Sequence, residues 1–480
     1  MTTIADVPAP TTIVFGTDGW RARVADDFTF ENVRRCADGV ARYVVERGEQ
    51  AKGVVIAFDR RFASEHFAAA AAEVLLAHDI PVFLAASAVP TQMSSYEVVE
   101  RGAAAGIVIT ASHNPWTDNG FKVKSPTGAA AGPEILAVLE ATIATNGRVA
   151  IERRPLADAE AAGLVERFDP FEGYERYVRR TIDLDALKAA DISILVEPLY
   201  GAGSSWIPRL LRDGRIRVTE IHNERNPYFG GINPEPIRPN VDAALAIIAG
   251  GGYDLGLFLD GDADRAGAAD ERGEFIHQLQ VTGLVMYHLA EHRGLREPVV
   301  VSVNNTSMVA RLGERYGIAT HETPVGFKYI GELILAGKLA MGGEESAGMS
   351  MYKHLPEKDG ILACLLVAEM VARTGKKINQ LIEEMYEEFG YYYSKRADMK
   401  LTPALKDSLA SKLANPPKQL DGMDVKSVNT TDGVKLIFNE QTWLLFRLSG
   451  TEPVARIYAE ACSPKKCTAS SASTTRNGPT

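Results

Sequence analysis

The feature that most narrows the fold is a repeated one. A short, continuous run of β-branched and other apolar residues stops abruptly at a polar or acidic residue. Residues 53–58 stop at Asp59, 106–109 at Thr110, 192–196 at Glu197, 255–259 at Asp260, and 298–303 at Asn304 and Asn305. Runs without polar alternation read as strands covered on both faces, and helical patterns such as 69–77 and 361–372 lie between and after them. This predicts an α/β protein with mixed, largely parallel sheets. Ligands in such sheets bind outside the carboxyl ends of the strands, which is where the polar residues collect here.

A chain of 480 residues has room for three or four domains at roughly 150 residues each. The strand–helix unit recurs about three times, with breaks near Asn146-Gly147, Gly273 and Gly390. Beyond Gly390 the pattern changes: 434–439 and 442–446 read as a hairpin and 455–461 as a further strand, giving a smaller α+β domain. The expected division is 1–165 for an α/β domain I with the serine loop described below and 166–275 for an α/β domain II with the acidic loop. An α/β domain III then spans 276–388 and the α+β domain IV 389–480. The Ser/Thr/Ala-rich tail from about 463 reads as disordered.

Hydrophobic residues at 46% and charged residues at 24% exclude disorder of the whole chain. With 52 basic against 62 acidic side chains, the net charge of −10 gives no general attraction to nucleic acid or to an anionic membrane. An anionic ligand must therefore meet a local basic cluster. No apolar run reaches the roughly 18 residues needed to span a bilayer; the stretch 361–372 is interrupted by Glu369. The opening MTTIADVPAPTT has neither the basic start nor the apolar core of a secretory signal. Four cysteines make no disulfide framework: Cys36 and Cys364 fall in helical patterns as buried thiols, and Cys462 and Cys467 lack the second pair a zinc site needs. The expectation is a cytoplasmic, reducing environment. No signal for an oligomeric state is present.

Two loops carry chemistry. Asp260-Gly261-Asp262-Ala263-Asp264-Arg265 places three carboxylates at alternate positions after a buried strand, and small spacers let them converge. Hard oxygen ligands of this kind suit Mg²⁺ or Mn²⁺. An EF-hand reading puts Glu271 correctly at position twelve, but Arg265 at position six where Gly is needed, and a strand precedes the loop instead of a helix. An aspartyl-phosphate phosphatase fits the apolar strand leading into Asp-x-Asp, but a third carboxylate favours a metal cage over a nucleophile. The second loop, Thr110-Ala111-Ser112-His113-Asn114-Pro115, also follows a buried strand. Ser112 is a nucleophile there if something activates it, and otherwise part of a turn before proline.

TASHNP at 110–115, followed much later by DGDADR at 260–265, resembles the α-D-phosphohexomutase superfamily of phosphoglucomutases and phosphomannomutases. Further matches follow in the expected order: Phe15 to Arg21, Asp59-Arg60-Arg61 with Ser64, and Thr323 to Lys328 as a sugar-orienting loop. After these come Gly343-Glu344-Glu345-Ser346 as a sugar-binding motif, Lys358-Asp359-Gly360, and Arg447 to Pro453 with Arg456 as a phosphate-binding loop. The resemblance spans roughly 13–462. It departs at Ala347, where many members have Gly or an aromatic residue, and in the tail after Cys462.

The resemblance implies a heart-shaped, four-domain protein around a central cleft, and a reaction between hexose 1-phosphate and hexose 6-phosphate through a phosphoserine and a 1,6-bisphosphate. Ser112 would carry the phosphoryl group. Asp260, Asp262 and Asp264 would hold Mg²⁺, with a phosphoserine oxygen at Ser112 as a further ligand. Arg21, His113 and Lys122 complete the implied catalytic set, and either Lys122 or His113 is the general base. Arg265, Thr323, Gly326, Lys328, Glu344, Ser346, Lys358, Arg447, Ser449, Gly450, Thr451 and Arg456 are the implied substrate contacts. The partner is a small hexose phosphate: the Glu344-Glu345-Ser346 and Gly326-Phe327-Lys328 forms resemble glucose-specific members more than glucosamine-specific ones, and mannose comes second because an epimer at one carbon changes few contacts. Glucose 1,6-bisphosphate is the implied activator and intermediate.

Overall fold

The structure is a computed structural model, described here for residues 11–16, 18–147, 150–448 and 454–463. Its three successive α/β units each centre on a parallel strand group with antiparallel strands at one edge. The first sheet runs Trp20–Arg23, Asp118–Lys124, Ala105–Ile109, Val54–Phe58, Val82–Ala85, Val165–Phe168. Its last four strands are mutually parallel and its first two antiparallel. The second runs Phe275–Ile276, Ala266–Ala269, Leu255–Leu259, Ser193–Glu197, Arg217–Glu220. The third runs Thr320–Thr323, Val299–Ser302, Met341–Gly343, Met349–Met351. The fourth unit is a wholly antiparallel sheet of five strands with the helix Pro403–Ala414, as the change of pattern after Gly390 predicts.

Every apolar run singled out above is a strand or a buried helix. Val54–Phe58, Ala105–Ile109 and Leu255–Leu259 are buried at every position, as expected for strands sandwiched between helices. Helix Gly360–Thr374 buries twelve of its residues and packs on the strands of the second sheet, joining the second and third units. Cys36 and Cys364 are buried, and burial pushes both thiols up.

Two expected divisions fall inside strands. Val165–Phe168 straddles 165/166 and pairs with Val82–Ala85, so it completes the first sheet. Its glutamate and arginine face solvent, as an edge strand allows, and this masks its strand character in the sequence. Phe275–Ile276 straddles 275/276 and closes the second sheet. The expected disorder of the tail lies outside the described residues, apart from Ser463.

One apolar core runs through the first three units, from Ile13 to Tyr392. The fourth unit has its own core, around Leu436, Leu444 and Ile457. No helix among the described residues is long and apolar enough to cross a membrane. Asp59, Thr110, Asp260 and Glu344 directly follow, and Thr323 ends, parallel strands of the first three sheets, so all five stand at strand carboxyl ends.

Candidate active site

Ser112 follows the strand Ala105–Ile109 and takes a left-handed backbone, φ 52°. A non-glycine residue in that region is held there by its surroundings. Here the hold is a clamp. The Arg61 guanidinium, fully buried, donates to the carbonyls of Ser112 at 2.6 Å, Asn114 at 2.7 Å, Pro115 at 2.8 Å and Asp118 at 3.0 Å. The Ser112 amide donates to Thr110 Oγ1 at 2.9 Å, and Asp59 accepts from Thr110 and Ser64. Arg61 and Asp59 therefore build the loop through its backbone and Thr110, leaving the Ser112 hydroxyl free to face Asp260.

The Ser112 hydroxyl donates to Asp260 Oδ2 at 2.8 Å and lies 3.4 Å from His113 Nδ1. The serine loop of the first unit and the acidic loop of the second thus meet face to face. A glycine makes this possible. A Cβ on Gly261 would fall 2.4 Å from the Ser112 carbonyl oxygen, so the loops could not approach this closely with any other residue. Gly261→Ala is expected to cost about 2 kcal/mol through enforced separation, read as a lower denaturation midpoint together with loss of activity.

Asp260, Asp262 and Asp264 are fully buried, with ligand atoms all within 4.8 Å of one another. Lys122 and Lys358 answer part of this charge. Lys122 Nζ lies 2.6 Å from Asp18, 2.9 Å from Asp262 and 3.4 Å from Asp264. Lys358 Nζ lies 3.2 Å from Asp264 and 3.5 Å from Glu344. Asp262 Oδ1 and Asp264 Oδ1 are buried without a hydrogen-bond partner. Buried carboxylate oxygens left bare are costly, and a divalent cation is the group that would satisfy them. The donor set, all hard oxygens, fits Mg²⁺ or Mn²⁺.

The charges sort accordingly. Burial, then the neighbouring Asp262 and Asp264 carboxylates, raise Asp260 well above the ordinary range. Burial also pushes Asp262 up, but Lys122 and the Thr91 hydroxyl outweigh it and hold that group low. Lys122 resists the burial that would discharge it because Asp18, Asp262 and Asp264 hold its proton. His113 is driven neutral by burial and by Arg265, Arg21 and Arg396.

Around this centre stand the other implied contacts. Arg21 donates to Asn114 Oδ1 at 2.8 Å. The Arg265 amide donates to Asp260 Oδ1 at 3.0 Å, and its guanidinium reaches Glu235 at 3.2 Å. Glu344 Oε1 accepts from the Gly326 amide at 2.9 Å, joining the two implied sugar loops. Thr323 keeps a buried hydroxyl with no partner. Ser346 is buried, its carbonyl taking the Gln278 amide. Lys328 stands apart: its ammonium lies 5.0 Å above the Tyr329 ring, and among the described residues it makes no hydrogen bond or ion pair. In the fourth unit Arg447 and Arg456 are directly opposed on neighbouring strands, which sets them on one sheet face. Ser449, Gly450 and Thr451 lie outside the described residues.

Several residues at the site carry no role in the sequence reading. Asp18 anchors Lys122 from within the opening motif. Asp432 accepts from the Val325 amide at 3.0 Å and from Arg447 Nε at 2.8 Å, so one carboxylate links the Thr323–Lys328 loop to the fourth unit. Arg396 lies 3.7 Å from Glu235 and is held by Asp398. The sequence signal for Asp432 is only its place before a turn glycine, Gly433, φ 86°.

Models of the phosphoglucomutase/phosphomannomutase family match in order: alpha/beta/alpha domain I over 12–149, domain II over 172–273, domain III over 279–389 and the C-terminal domain over 408–472. A phosphoglucosamine mutase of Geobacillus kaustophilus is 30% identical over 95% of this chain and 96% of its own. A phosphoglucomutase/phosphomannomutase of Thermococcus kodakarensis is 29% identical over 94% of this chain and 95% of its own. The crystal structure of a Thermus thermophilus protein assigned as a phosphomannomutase superposes with a TM-score of 0.84 at 34% identity, covering 98% of this chain and 99% of that one.

Proposed function

This chain belongs to the phosphoglucomutase/phosphomannomutase family of mutases, which are intramolecular phosphotransferases, and on that premise we propose that it interconverts glucose 1-phosphate and glucose 6-phosphate through a phosphorylated Ser112. The observation that carries this reading is the contact of the Ser112 hydroxyl with Asp260 in the acidic loop, between two units.

In this reading Ser112 Oγ gives its phosphoryl group to the free hydroxyl of the bound sugar phosphate. The bisphosphate then turns over in the cleft and returns its other phosphoryl group to the same oxygen. Asp260, Asp262 and Asp264 would hold Mg²⁺, which when bound supplies charge stabilisation of a phosphoryl oxygen. Arg21, Arg265 and Lys358 surround the place where that charge develops. Glu344, Ser346, Thr323 and the Gly326 backbone offer acceptors and donors for sugar hydroxyls, while Arg447 and Arg456 grip the phosphate that is not transferred.

Two groups can take the proton of the sugar hydroxyl. His113, already neutral, can accept it as it stands; Lys122 can do so only once its carboxylate partners release it. The comparison of His113→Gln with Lys122→Met separates them. The true base is the residue whose removal lowers kcat by about 10²–10⁴-fold with little change in KM.

Glucose is preferred on the Glu344-Glu345-Ser346 and Gly326-Phe327-Lys328 forms, with mannose, or dual specificity, as the second reading because one epimeric carbon changes few contacts. A coupled assay with glucose 1-phosphate, mannose 1-phosphate and glucosamine 1-phosphate side by side tests this. The highest kcat/KM is expected for glucose 1-phosphate, and a clear preference for glucosamine 1-phosphate would overturn the assignment.

A further inference from the structure

The acidic loop is also gripped from the first unit at a second point, away from the serine loop. Thr91 opens the helix Thr91–Arg101 directly after Pro90. Its amide donates to the Asp262 carbonyl at 3.0 Å, and its hydroxyl donates to Asp262 Oδ2 at 2.6 Å. The side-chain amide of Gln92, the next residue, donates to the Ala263 carbonyl at 3.1 Å and to Asp359 Oδ1 at 3.1 Å. Thr91 and Gln92 are both fully buried. Asp359 adjoins Lys358, which reaches Asp264, so this short segment binds both the acidic loop and the residue beside a lysine of the cluster.

The two oxygens of Asp262 are treated differently. Oδ2 accepts from Thr91 and from Lys122 at 2.9 Å, whereas Oδ1 is buried and bare. Rotation of a carboxylate about its last torsion is broad and roughly two-fold, so hydrogen bonds must decide which oxygen faces inward. Lys122 fixes it poorly, since its rotatable ammonium is shared among Asp18, Asp262 and Asp264. Thr91 has one hydroxyl proton, a stiff β-branched side chain and a backbone already bound to the same aspartate.

We propose that Thr91 is a positioning residue for the metal cage: its hydroxyl holds Asp262 Oδ2 so that Oδ1 is presented to the divalent cation. The cage is then complete only when the first unit is docked on the second. This inference rests on the metal role proposed above for the three aspartates.

The test is a Mn²⁺ titration of the full chain, followed by the electron paramagnetic resonance signal of free Mn²⁺. Thr91→Val keeps the shape and removes the donor; Thr91→Ser keeps the donor. Loss of an outer partner of a metal ligand weakens binding by about 10–100-fold, so at least about a tenfold rise in Kd is expected for Thr91→Val, with Thr91→Ser close to the native value. Thr91→Ala is a second hydroxyl-free variant, read in the same way should valine disturb the fold. A merely structural role would lower the melting temperature of the metal-free protein and leave Mn²⁺ affinity unchanged, and that result overturns the proposal. Asp262→Asn in the same titration keeps the two readings apart. Weak binding by Asp262→Asn with native-like binding by the hydroxyl-free variants sinks the Thr91 inference alone, whereas native-like binding by Asp262→Asn removes the metal role and this inference with it.

Discussion

Ser112→Ala is expected to abolish the interconversion of glucose 1-phosphate and glucose 6-phosphate, lowering kcat by about four orders of magnitude or more, since no other group takes over from a removed nucleophile. The fold should survive. The loop conformation is set by the Arg61 clamp on four carbonyls and by the Thr110–Asp59 pair, none of which involves the Ser112 side chain. The variant should therefore keep the native circular dichroism spectrum and still bind sugar phosphate. The phosphatase alternative, with Asp260 as the attacking group, makes the opposite forecast: Ser112→Ala would still release inorganic phosphate.

Removal of divalent metal by a chelator, or Asp264→Asn, is the second large effect, with a fall in kcat on the order of 10²–10³-fold. A phosphoserine brings about −1.5 to −2 of charge to a place where three aspartates already converge. Lys122 and Lys358 together offset only part of it. Without a dication the loaded loops would repel each other across the 2.8 Å contact between Ser112 Oγ and Asp260. Added Mg²⁺ should restore the chelated native enzyme fully and Asp264→Asn only weakly, read by initial rates over a range of metal concentrations. Equal restoration of both would argue against Asp264 as a ligand.

Much of this site is legible in the sequence because the parallel strands deliver their C-terminal residues to one edge. Asp59, Thr110, Asp260 and Thr323 each follow or end a strand, and their convergence follows from topology. The residues that escape the sequence reading act across units. Thr91 and Asp262 lie 171 positions apart, and Asp432 lies 107 from the amide it accepts. Each looks like an ordinary helix or turn residue until two units dock. Arg61 is a similar case: Asp59-Arg60-Arg61 marks a strand end, but nothing local shows that one of its arginines turns inward, fully buried, to gather four carbonyls. The edge strands Val165–Phe168 and Phe275–Ile276 are lost for a different reason. Each is short and half polar or only two residues long, so periodicity has too little to work with.

The most direct test of the phosphoryl shuttle is a label chase. The dephosphorylated protein is exposed to ³²P-labelled glucose 1,6-bisphosphate, digested, and the labelled peptide sequenced; a second portion is chased with unlabelled glucose 1-phosphate. The label is expected on Ser112 and then in glucose bisphosphate and glucose 6-phosphate, with little inorganic phosphate. Label on Asp260, or its loss as inorganic phosphate at the rate of isomerisation, would contradict a serine-borne phosphoryl group.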